Sequence, residues 1–505
     1  MEIKKNNVCV NKYGKSFSVP VLSETETIVP DNKPDLLKVV DISADIKTFN
    51  KSISGSSVSV AGSISYTIIY IPESASGISV INAVSAFNHS EDIENISDEA
   101  FINVKPVIEH IEFNVLNSRK VSVKAIINMN FAVTDKMYLS LTENIDGDEI
   151  EMSKTSFRLL NRLTQKSCSI NVNEQVSLLP EKPVIETVVK SNAEIFNKDT
   201  KVISNKAVVK GDLVIHTLYI SDSGELNISE NTLPFTEILD AEGINEDSIT
   251  HIDLSISDFG VTPAGDTNGD MKTLSVSGTI KADISGDEMN TYETVNDAYS
   301  TSYKLSLDTS KEEVDEFCER LSAKSTVKES IPAGDNEISD IYAVSAIPMS
   351  VTAKEFDGGK TVVKGELNIN ILYITKNPDM PVYNLRTEIP FEINMPANDS
   401  YNILSPTVNI DSICYNFSDS SVEIKIDMTA ELMCFRRKSI NVINSASEEE
   451  FKDAYIPSIV LYFVQKNDTL WDIAKRYHTK TNYIEDLNNL DGEPGEGKQL
   501  LIPKS

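Results

Sequence analysis

Three stretches of this chain repeat one pattern. In each stretch a valine precedes a glycine by two positions, and a tyrosine–isoleucine pair follows with its tyrosine eight positions after the glycine. The glycines are Gly62, Gly211 and Gly365, and the tyrosines are Tyr70, Tyr219 and Tyr373. Successive glycines lie about 150 residues apart, which is the size of a domain rather than of a solenoid repeat. The pattern therefore predicts three tandem copies of one domain.

The sequence around each glycine alternates as a β-strand does. Val209, Gly211, Leu213 and Ile215 share one face of such a strand, while polar residues begin the other face. A glycine inside a strand indicates a bulge or a close approach of the backbone. Further short alternating strands with turn residues between them follow in every copy. The expected fold is mainly β, with three antiparallel sandwich-like or barrel-like repeats.

The entrance to the first two copies is an extended arm that ends at a Lys-Pro corner. Pro34 and Pro183 each lie 28 residues before their glycine, and Glu337 holds that place in the third copy. Proline fixes φ and cannot continue a ladder, so Lys-Pro turns the chain into the domain. A recognition role for these corners is the alternative interpretation.

The predicted domains follow from these positions. Repeat 1 with its arm covers 1–140 and repeat 2 covers 155–290. Residues 310–437 hold a short helix and repeat 3, because Val314, Phe317, Cys318 and Leu321 have helical spacing after a capping box. An acidic linker is expected at 440–458, acting as a tether, and a small module at 459–505.

Composition limits the class of function. The chain has 46 basic and 77 acidic residues, a formal charge of −31, which disfavours nucleic-acid binding. No apolar run reaches the roughly 18 residues that span a bilayer, and no secretory signal is visible. Five scattered cysteines without a C-x-x-C pair indicate a reducing compartment. We therefore expect a cytoplasmic protein that inserts into no membrane.

The C-terminal module has a different character, with six basic and seven acidic residues in 459–505. Two short apolar runs flank two amphipathic helices, which predicts a small α+β fold in the order strand, helix, helix, strand. Thr469, with Asp472 three places later, caps the first helix, and Thr481 is expected to cap the second.

This module closely resembles the LysM family. The matching residues are Tyr462, Val464, Asp468, Thr469, Leu470, Ile473, Ala474, Tyr477, Ile484, Leu487, Asn489, Leu490, Gly497, Lys498, Leu500, Leu501, Ile502 and Pro503. The family usually has glycine where this chain has Asn467, and asparagine accepts the same positive φ. LysM modules bind N-acetylglucosamine polymers in a groove between two loops. By resemblance, that groove comprises Asn467, Asp468, Thr469 and Leu470 on one side and Asn489, Leu490, Asp491 and Gly492 on the other.

Several of these residues have purely structural alternatives. Asp468 and Thr469 fit a helix cap, and Leu490 fits a core position. Trp471, the single tryptophan, lies off the apolar stripe beside Lys475 and His478. It either completes the core or, if exposed, anchors a partner protein, since tryptophan often dominates interface energies.

The three repeats resemble the SPOCS domains of spore-coat proteins. The resemblance rests on the proline entrance, the glycine-containing strand that ends in Tyr-Ile, and three copies placed before a LysM module. It implies a coat-assembly scaffold at the forespore surface, in the mother-cell cytoplasm. In such proteins the LysM module binds the coat ATPase, stage IV sporulation protein A, and other coat proteins are further possible partners.

No catalytic or cofactor constellation is evident in the sequence. The five histidines are scattered, no phosphate-binding loop exists, and no catalytic triad can be nominated. Asp266-Thr267-Asn268-Gly269-Asp270 is similar to part of a calcium loop but lacks its downstream glutamate, and a hairpin turn explains it better. We expect a non-enzymatic protein with no cofactor and no metal.

Two other classes of function remain open at this point. One is a LysM protein that binds peptidoglycan of the spore cortex or cell wall. The other is a wall hydrolase with a LysM targeting arm, which needs catalytic residues that the sequence does not suggest.

Overall fold

The computed structural model describes residues 2–73, 77–94, 96–97, 99–356, 360–396, 401, 403–450 and 458–503. Within these ranges almost every element is a β-strand. The first repeat contains β1 (Glu2–Ile28), β2 (Leu36–Ser54), β3 (Ser57–Pro72), β4 (Ser79–Asp92), β5 (Phe101–Asn117) and β6 (Lys120–Asp146). The second contains β7 (Ile150–Ser177), β8 (Ile185–Ile203), β9 (Lys206–Ser221), β10 (Leu226–Asp240), β11 (Ile249–Ala264) and β12 (Thr273–Ser300). The third contains β13 (Lys304–Pro332), β14 (Ile338–Phe356), β15 (Lys360–Thr375), β16 (Val382–Met395), β17 (Ile403–Phe417) and β18 (Ser421–Glu449). The module at the end contains β19 (Ile459–Phe463), α1 (Leu470–Tyr477), α2 (Thr481–Asn488) and β20 (Gln499–Pro503).

Each repeat folds into a sandwich of two antiparallel three-stranded sheets, which we call a head. In head 1 the sheets have the orders β2-β3-β4 and β1-β6-β5, and heads 2 and 3 repeat this arrangement with β7 to β12 and β13 to β18. The two sheets enclose one apolar core in each head. Sequence alternation predicted this fold class, and the structure confirms it.

The repeated glycine lies opposite a phenylalanine on the neighbouring strand. The pairs are Gly62 with Phe87, Gly211 with Phe235, and Gly365 with Phe391. A Cβ atom on Gly365 would lie 2.7 Å from Cζ of Phe391, and one on Gly211 would lie 2.9 Å from Cζ of Phe235. The glycine is therefore present in these two heads because an aromatic ring covers its backbone, as the interpretation of a close approach predicted.

The first and last strands of each head continue beyond the sandwich as a two-stranded ribbon. These strands are 27 to 29 residues long. A register shift interrupts each pairing near the sandwich. In the extended ribbon ends, residues 2–13 pair with 134–146 in the first repeat, 150–162 with 287–300 in the second, and 304–317 with 435–449 in the third. We call these three ribbon ends together the stalk.

Contacts between the ribbons hold the stalk together. The Thr142 N–H donates to Oγ1 of Thr294 at 3.1 Å, and Oγ1 of Thr142 donates to the carbonyl of Ile443 at 3.2 Å. Each of these three residues lies within two positions of the bulge in its own ribbon. An apolar cluster that includes Val10, Leu139, Phe157, Val314 and Ile440 lies beside them. At the opposite end the heads meet through Ile69, Leu218 and Leu372, each directly before its repeated tyrosine. The three repeats thus have approximate threefold symmetry.

Two expectations about the connections between domains are wrong. Residues 310–321 form no helix, because Lys304–Pro332 is one strand paired with β18. Val314 and Phe317 lie on opposite faces of this strand, and both are buried because side chains of other ribbons pack on each face. The acidic tether at 440–458 is strand as far as Glu449, with Glu449 paired to Lys304 at 2.7 Å, and residues 451–457 lie outside the described ones.

The expected domain limits at 140, 155, 290, 310 and 437 fall within strands of the stalk.

The turn at 266–270 joins β11 to β12 as the expected hairpin, in which Oδ1 of Asp266 accepts from the Asn268 and Asp270 amides. No helix among the described residues has the length and apolarity needed to cross a bilayer.

Candidate functional site

The C-terminal module has the predicted order of strand, helix, helix and strand. Strands β19 and β20 pair antiparallel, and both helices pack on one face of this sheet. The buried core contains Val464, Leu470, Ile473, Ala474, Ile484, Leu500 and Ile502. The second cap was predicted wrongly: Lys480 is the N-cap residue of α2 and makes no side-chain cap bond, and Thr481 is the first helical residue.

The first groove loop begins at Asn467 and ends in a helix cap. Asn467 has φ 66°, the left-handed conformation in which glycine is usual and asparagine is tolerated. The Asp472 N–H donates to Oγ1 of Thr469 at 3.1 Å, and the Asp472 carboxylate accepts from Thr469 in return. Thr469 therefore forms the capping box that the sequence predicts.

Asp468 is held by three neighbours. The Tyr462 hydroxyl donates to Oδ2, the Gln465 N–H donates to the same oxygen at 2.9 Å, and Arg476 donates to Oδ1 at 3.3 Å. The hydrogen bond from Tyr462, followed by that from the Gln465 backbone, lowers the pKa of Asp468 below its ordinary value. The carboxylate is thus ionised at neutral pH, and its hydrogen bonds fix the entry into α1.

The second groove loop follows α2. Asn489 ends the helix with φ 49°, and the Leu490 N–H donates to the Glu485 carbonyl at 3.0 Å. The Leu490 side chain packs against the core, while Asp491 and Gly492 are exposed. Of the groove residues, Leu470 and Leu490 therefore serve the core, and Asn467, Thr469, Asn489, Asp491 and Gly492 are open to solvent.

Glu493 joins the two groove loops. Its Oε2 accepts a hydrogen bond from the Leu470 N–H at 2.7 Å. Leu470 is the first residue of α1, so this amide has no partner within the helix. Glu493 was not predicted from the sequence, because a bond across 23 residues leaves no local pattern. The available signal was an acidic residue in a loop expected to face a helix N-terminus.

Trp471 binds within the same chain. Its Nε1 donates to Oδ2 of Asp297 at 2.9 Å, and Nζ of Lys475 contacts both carboxylate oxygens of Asp297 at 2.6 and 2.7 Å. The indole also makes an edge contact with the Tyr299 ring, with centroids 4.9 Å apart. Asp297 and Tyr299 belong to β12 at the tip of the stalk. Trp471 therefore attaches the module to the stalk.

Tyr299 forms part of the module core although it lies outside the module sequence. It is 2% exposed, and its hydroxyl donates to the Thr479 carbonyl at 2.8 Å. Burial raises the pKa of this phenol well above its ordinary value. Nδ1 of His478 lies 3.2 Å from the Ser300 carbonyl, and Lys480 lies 3.6 Å from Glu151. The module is thus docked on the stalk tip, which corrects the expectation of a tethered tail.

The outer face of the β19–β20 sheet is apolar and exposed. Ile459, Leu461 and Phe463 alternate along β19 with 55%, 52% and 53% of their surfaces exposed, and Leu501 on β20 is 39% exposed. Leu461 and Leu501 are direct cross-strand partners. We call these four residues the apolar sheet face.

A metal centre finds no support in the described part of the chain, where no group of three His, Cys, Asp or Glu side chains could hold an ion. Cys9, Cys168, Cys414 and Cys434 form no disulfide bond in this part of the chain.

Comparison with known families gives two matches. Residues 35–116, 184–263 and 337–418 match the family described as SipL, SPOCS domain, and residues 462–503 match the LysM domain. Each SPOCS match covers four strands of a head, β2 to β5 and their counterparts. No curated protein and no solved structure matches the chain. Both matched domain types are binding domains without catalytic function of their own.

Proposed function

We propose that this chain, whose three SPOCS domains and C-terminal LysM domain give it the SipL-like architecture, is a non-enzymatic scaffold for spore-coat assembly. It acts at the forespore surface in the mother-cell cytoplasm. The LysM module binds the coat ATPase, stage IV sporulation protein A, and the heads leave room for further coat proteins. Through these contacts the chain localises coat around the forespore.

The apolar sheet face is the observation that carries this proposal. Four large side chains, each 39 to 55% exposed on one small sheet, form the kind of patch that marks a protein interface. A sugar polymer needs placed polar groups to bond its hydroxyl and amide groups, and these four side chains supply none. The patch therefore supports a protein ligand.

The distribution of charge supports the same proposal. The chain carries −31 in total, while 459–505 has nearly balanced charges. The heads are acidic, so they repel the heads of other copies of the chain and other acidic surfaces. The LysM module at the stalk tip, with its nearly balanced charges, does not. Association through the module thus keeps the heads apart and accessible.

Binding of peptidoglycan through the LysM groove is the second candidate. In support of this alternative, Asn467 has φ 66°, which fits the place where the family usually has glycine, and Gly492 in the facing loop has φ 98°. Under this alternative the site comprises Asn467, Asp468, Thr469, Leu470, Asn489, Leu490, Asp491 and Gly492.

The decisive experiment compares both ligands on the full chain, because Tyr299 contributes to the module core. We expect Phe463→Glu to weaken binding of purified stage IV sporulation protein A at least tenfold, measured by biolayer interferometry. The matched control is Leu487→Glu, on the helical side and 41% exposed, which should bind as the wild type does. Sedimentation with purified peptidoglycan runs in parallel. Retention by peptidoglycan without any affinity for the ATPase contradicts the scaffold proposal.

A further inference from the structure

The two strands of the LysM sheet differ in what lies along their outer edges. Among the described residues β19 and β20 pair only with each other, so each strand has one edge that no other strand covers. In an antiparallel pair, every second residue directs both its N–H and its C=O away from the partner strand. These outward groups are the ones with which a further strand pairs.

The register identifies the outward residues of β19. The Val464 N–H donates to the Lys498 carbonyl at 3.0 Å, so the backbone groups of Val464 face β20. Residues that alternate with Val464 along β19 do the same, and the residues between them face outward. The outward residues are therefore Ile459, Leu461 and Phe463, whose side chains also form the β19 part of the apolar sheet face.

The chain itself covers the outer edge of β20. The Leu501 N–H donates to Oδ1 of Asn488 at 2.7 Å, and Nδ2 of Asn488 donates to the Leu501 carbonyl at 2.7 Å. The Asn488 amide, at the end of α2, thus takes the place that a neighbouring strand would take. Since both outward groups of Leu501 are bonded, no further strand can pair with β20 at this residue.

The outer edge of β19 has no such cover in the part of the chain that the structure describes. The Phe463 carbonyl accepts from Nε2 of Gln465 at 2.8 Å, which closes one end of the edge. At the centre of the edge, no described group bonds the N–H or the C=O of Leu461. Proteins usually protect an exposed apolar edge strand with a charged residue or a proline, and Ile459–Phe463 contains neither.

These features fit an extended segment of another protein. Such a segment pairs with Leu461 through its backbone, and its alternate side chains lie beside those of Ile459, Leu461 and Phe463. Lys466 and Lys498, both exposed, flank the Phe463 end of the edge and favour an acidic side chain on the segment there. A second copy of the chain fits less well, because pairing of two β19 edges brings together two chains that each carry −31.

We propose that β19 is the docking edge of the LysM module, to which a partner protein adds one extended segment as a third strand. The segment carries apolar residues at alternate positions and an acidic residue near Phe463. This inference rests on the proposed function and deepens it, because it states how a protein partner engages the apolar sheet face. It assigns recognition to main-chain groups as well as to side chains.

A proline at position 461 tests the edge. Leu461→Pro removes an N–H that takes no part in the pairing of β19 with β20, and proline is tolerated where a strand N–H faces solvent. Leu461→Ala loses side-chain surface but keeps the N–H. We expect Leu461→Pro to bind purified stage IV sporulation protein A at least tenfold more weakly than Leu461→Ala does, measured on the full chain. Gln499→Pro removes an outward N–H from the opposite edge and should bind as the wild type does.

Hydrogen exchange supplies a measurement that needs no variant. When the complex forms, the Leu461 and Phe463 amides of the wild type should exchange at least tenfold more slowly. Exchange across α1 should stay the same, and in each variant it verifies that the LysM module is folded. The protection of the two wild-type amides decides the question even if Leu461→Pro unfolds the module.

The outcomes separate this inference from the proposed function. If the wild type binds the ATPase, while Leu461→Pro equals Leu461→Ala and neither wild-type amide gains protection, strand addition is wrong and the scaffold stands. If the wild type dimerises in analytical ultracentrifugation and Leu461→Pro abolishes the dimer, the edge belongs to a second copy and the inference is overturned. If the wild type does not bind the ATPase, the proposed function fails and this inference fails with it.

Discussion

The hydroxyl of Tyr70 donates a 2.9 Å hydrogen bond to the main-chain carbonyl of Pro34. The corresponding bonds join Tyr219 to Pro183 at 3.4 Å and Tyr373 to both Ala333 and Asn336 at 3.2 Å. The repeated tyrosine therefore attaches the end of the central strand to the corner where the arm enters the head. This contact explains why the tyrosine and the corner keep the same spacing in the first two copies.

Loss of that hydroxyl should loosen the corner. Tyr70→Phe leaves a partly buried carbonyl without its donor, at a cost of about 1 kcal/mol. We expect roughly fivefold faster hydrogen exchange at the Leu36 amide, which donates to the Ser118 carbonyl beside the corner. Tyr483→Phe, in an exposed position on α2, is the control. Equal exchange in both variants would show that the bond contributes nothing.

The glycine opposite the phenylalanine should not tolerate a methyl group in head 3. In Gly365→Ala the new Cβ meets Cζ of Phe391 at 2.7 Å and the Met349 carbonyl oxygen at 2.9 Å. Overpacking of this kind costs about 1–3 kcal/mol. Urea denaturation followed by near-ultraviolet circular dichroism measures the loss of stability.

Head 2 supplies the matched comparison for that substitution. At Gly211 the obstacles are side chains, Phe235 at 2.9 Å and Ile195 at 3.3 Å, so they can move. Gly211→Ala should cost less than Gly365→Ala, and adding Phe235→Leu should recover part of the loss. An equal cost in both heads, unaffected by Phe235→Leu, contradicts this explanation.

Removing Asp297 should release the LysM module from the stalk. Asp297→Ala deletes the acceptor of both Trp471 and Lys475, and hydrogen bonds to a charged group contribute about 1.5–3 kcal/mol. We expect at least tenfold faster hydrogen exchange around Tyr299 and His478. Asp486→Ala, an exposed acid on α2, should leave exchange unchanged.

The same release distinguishes two roles for Trp471. If the indole only docks the LysM module on the stalk, Trp471→Ala and Asp297→Ala should weaken binding of the ATPase by the same factor, because both remove the same contact. A much larger effect of Trp471→Ala would place the indole in the partner interface as well.

Glu194 lies near Tyr342, which belongs to the apolar cluster where the heads meet, since burial and then charges that include that of Glu194 raise the pKa of this tyrosine. Glu194 should make this junction sensitive to pH. Burial raises the pKa of Glu194 from 4.5 to about 7, and its Oε2 has no hydrogen-bond partner within the described ranges. A carboxyl with a raised folded pKa contributes stability that is complete below pH 4.5 and is lost as pH rises through about 7. Glu194→Gln should therefore match the wild type at pH 4.5 and be the more stable protein above pH 7, measured by thermal unfolding.

Neighbouring groups titrate too, so the difference between the two proteins is the informative quantity. Burial raises the pKa of Asp45 and lowers that of His216, and Lys190 lies near Asp45. These residues are present in both proteins. A stability difference that does not change between pH 4.5 and 8 would contradict the role assigned to Glu194.

Local patterns in the sequence predicted what depends on neighbouring residues. Alternation predicted the strands, and the Thr469 and Asp472 spacing predicted the capping box. The repeated glycine and tyrosine predicted three equivalent domains. Each of these signals lies within one element or recurs at a fixed distance, so it can be read without knowledge of the partner strands.

Features that depend on distant pairing were not predictable. Val314 and Phe317 have helical spacing, yet β18, more than a hundred residues away, pairs with them as a strand. The docking of Trp471 on Asp297 and the bridge from Glu493 to Leu470 likewise join residues without a common pattern. These long-range contacts decide where the LysM module lies and what its groove exposes.

The stalk also has a mechanical consequence. Strand β18 runs from head 3 to the stalk tip and pairs along its length with β13, and the LysM module follows it in the chain. A pull between the heads and the LysM module acts along these strands. The interstrand hydrogen bonds then resist in shear, sharing the load instead of opening one after another, so the chain is suited to transmit tension between its heads and its LysM module.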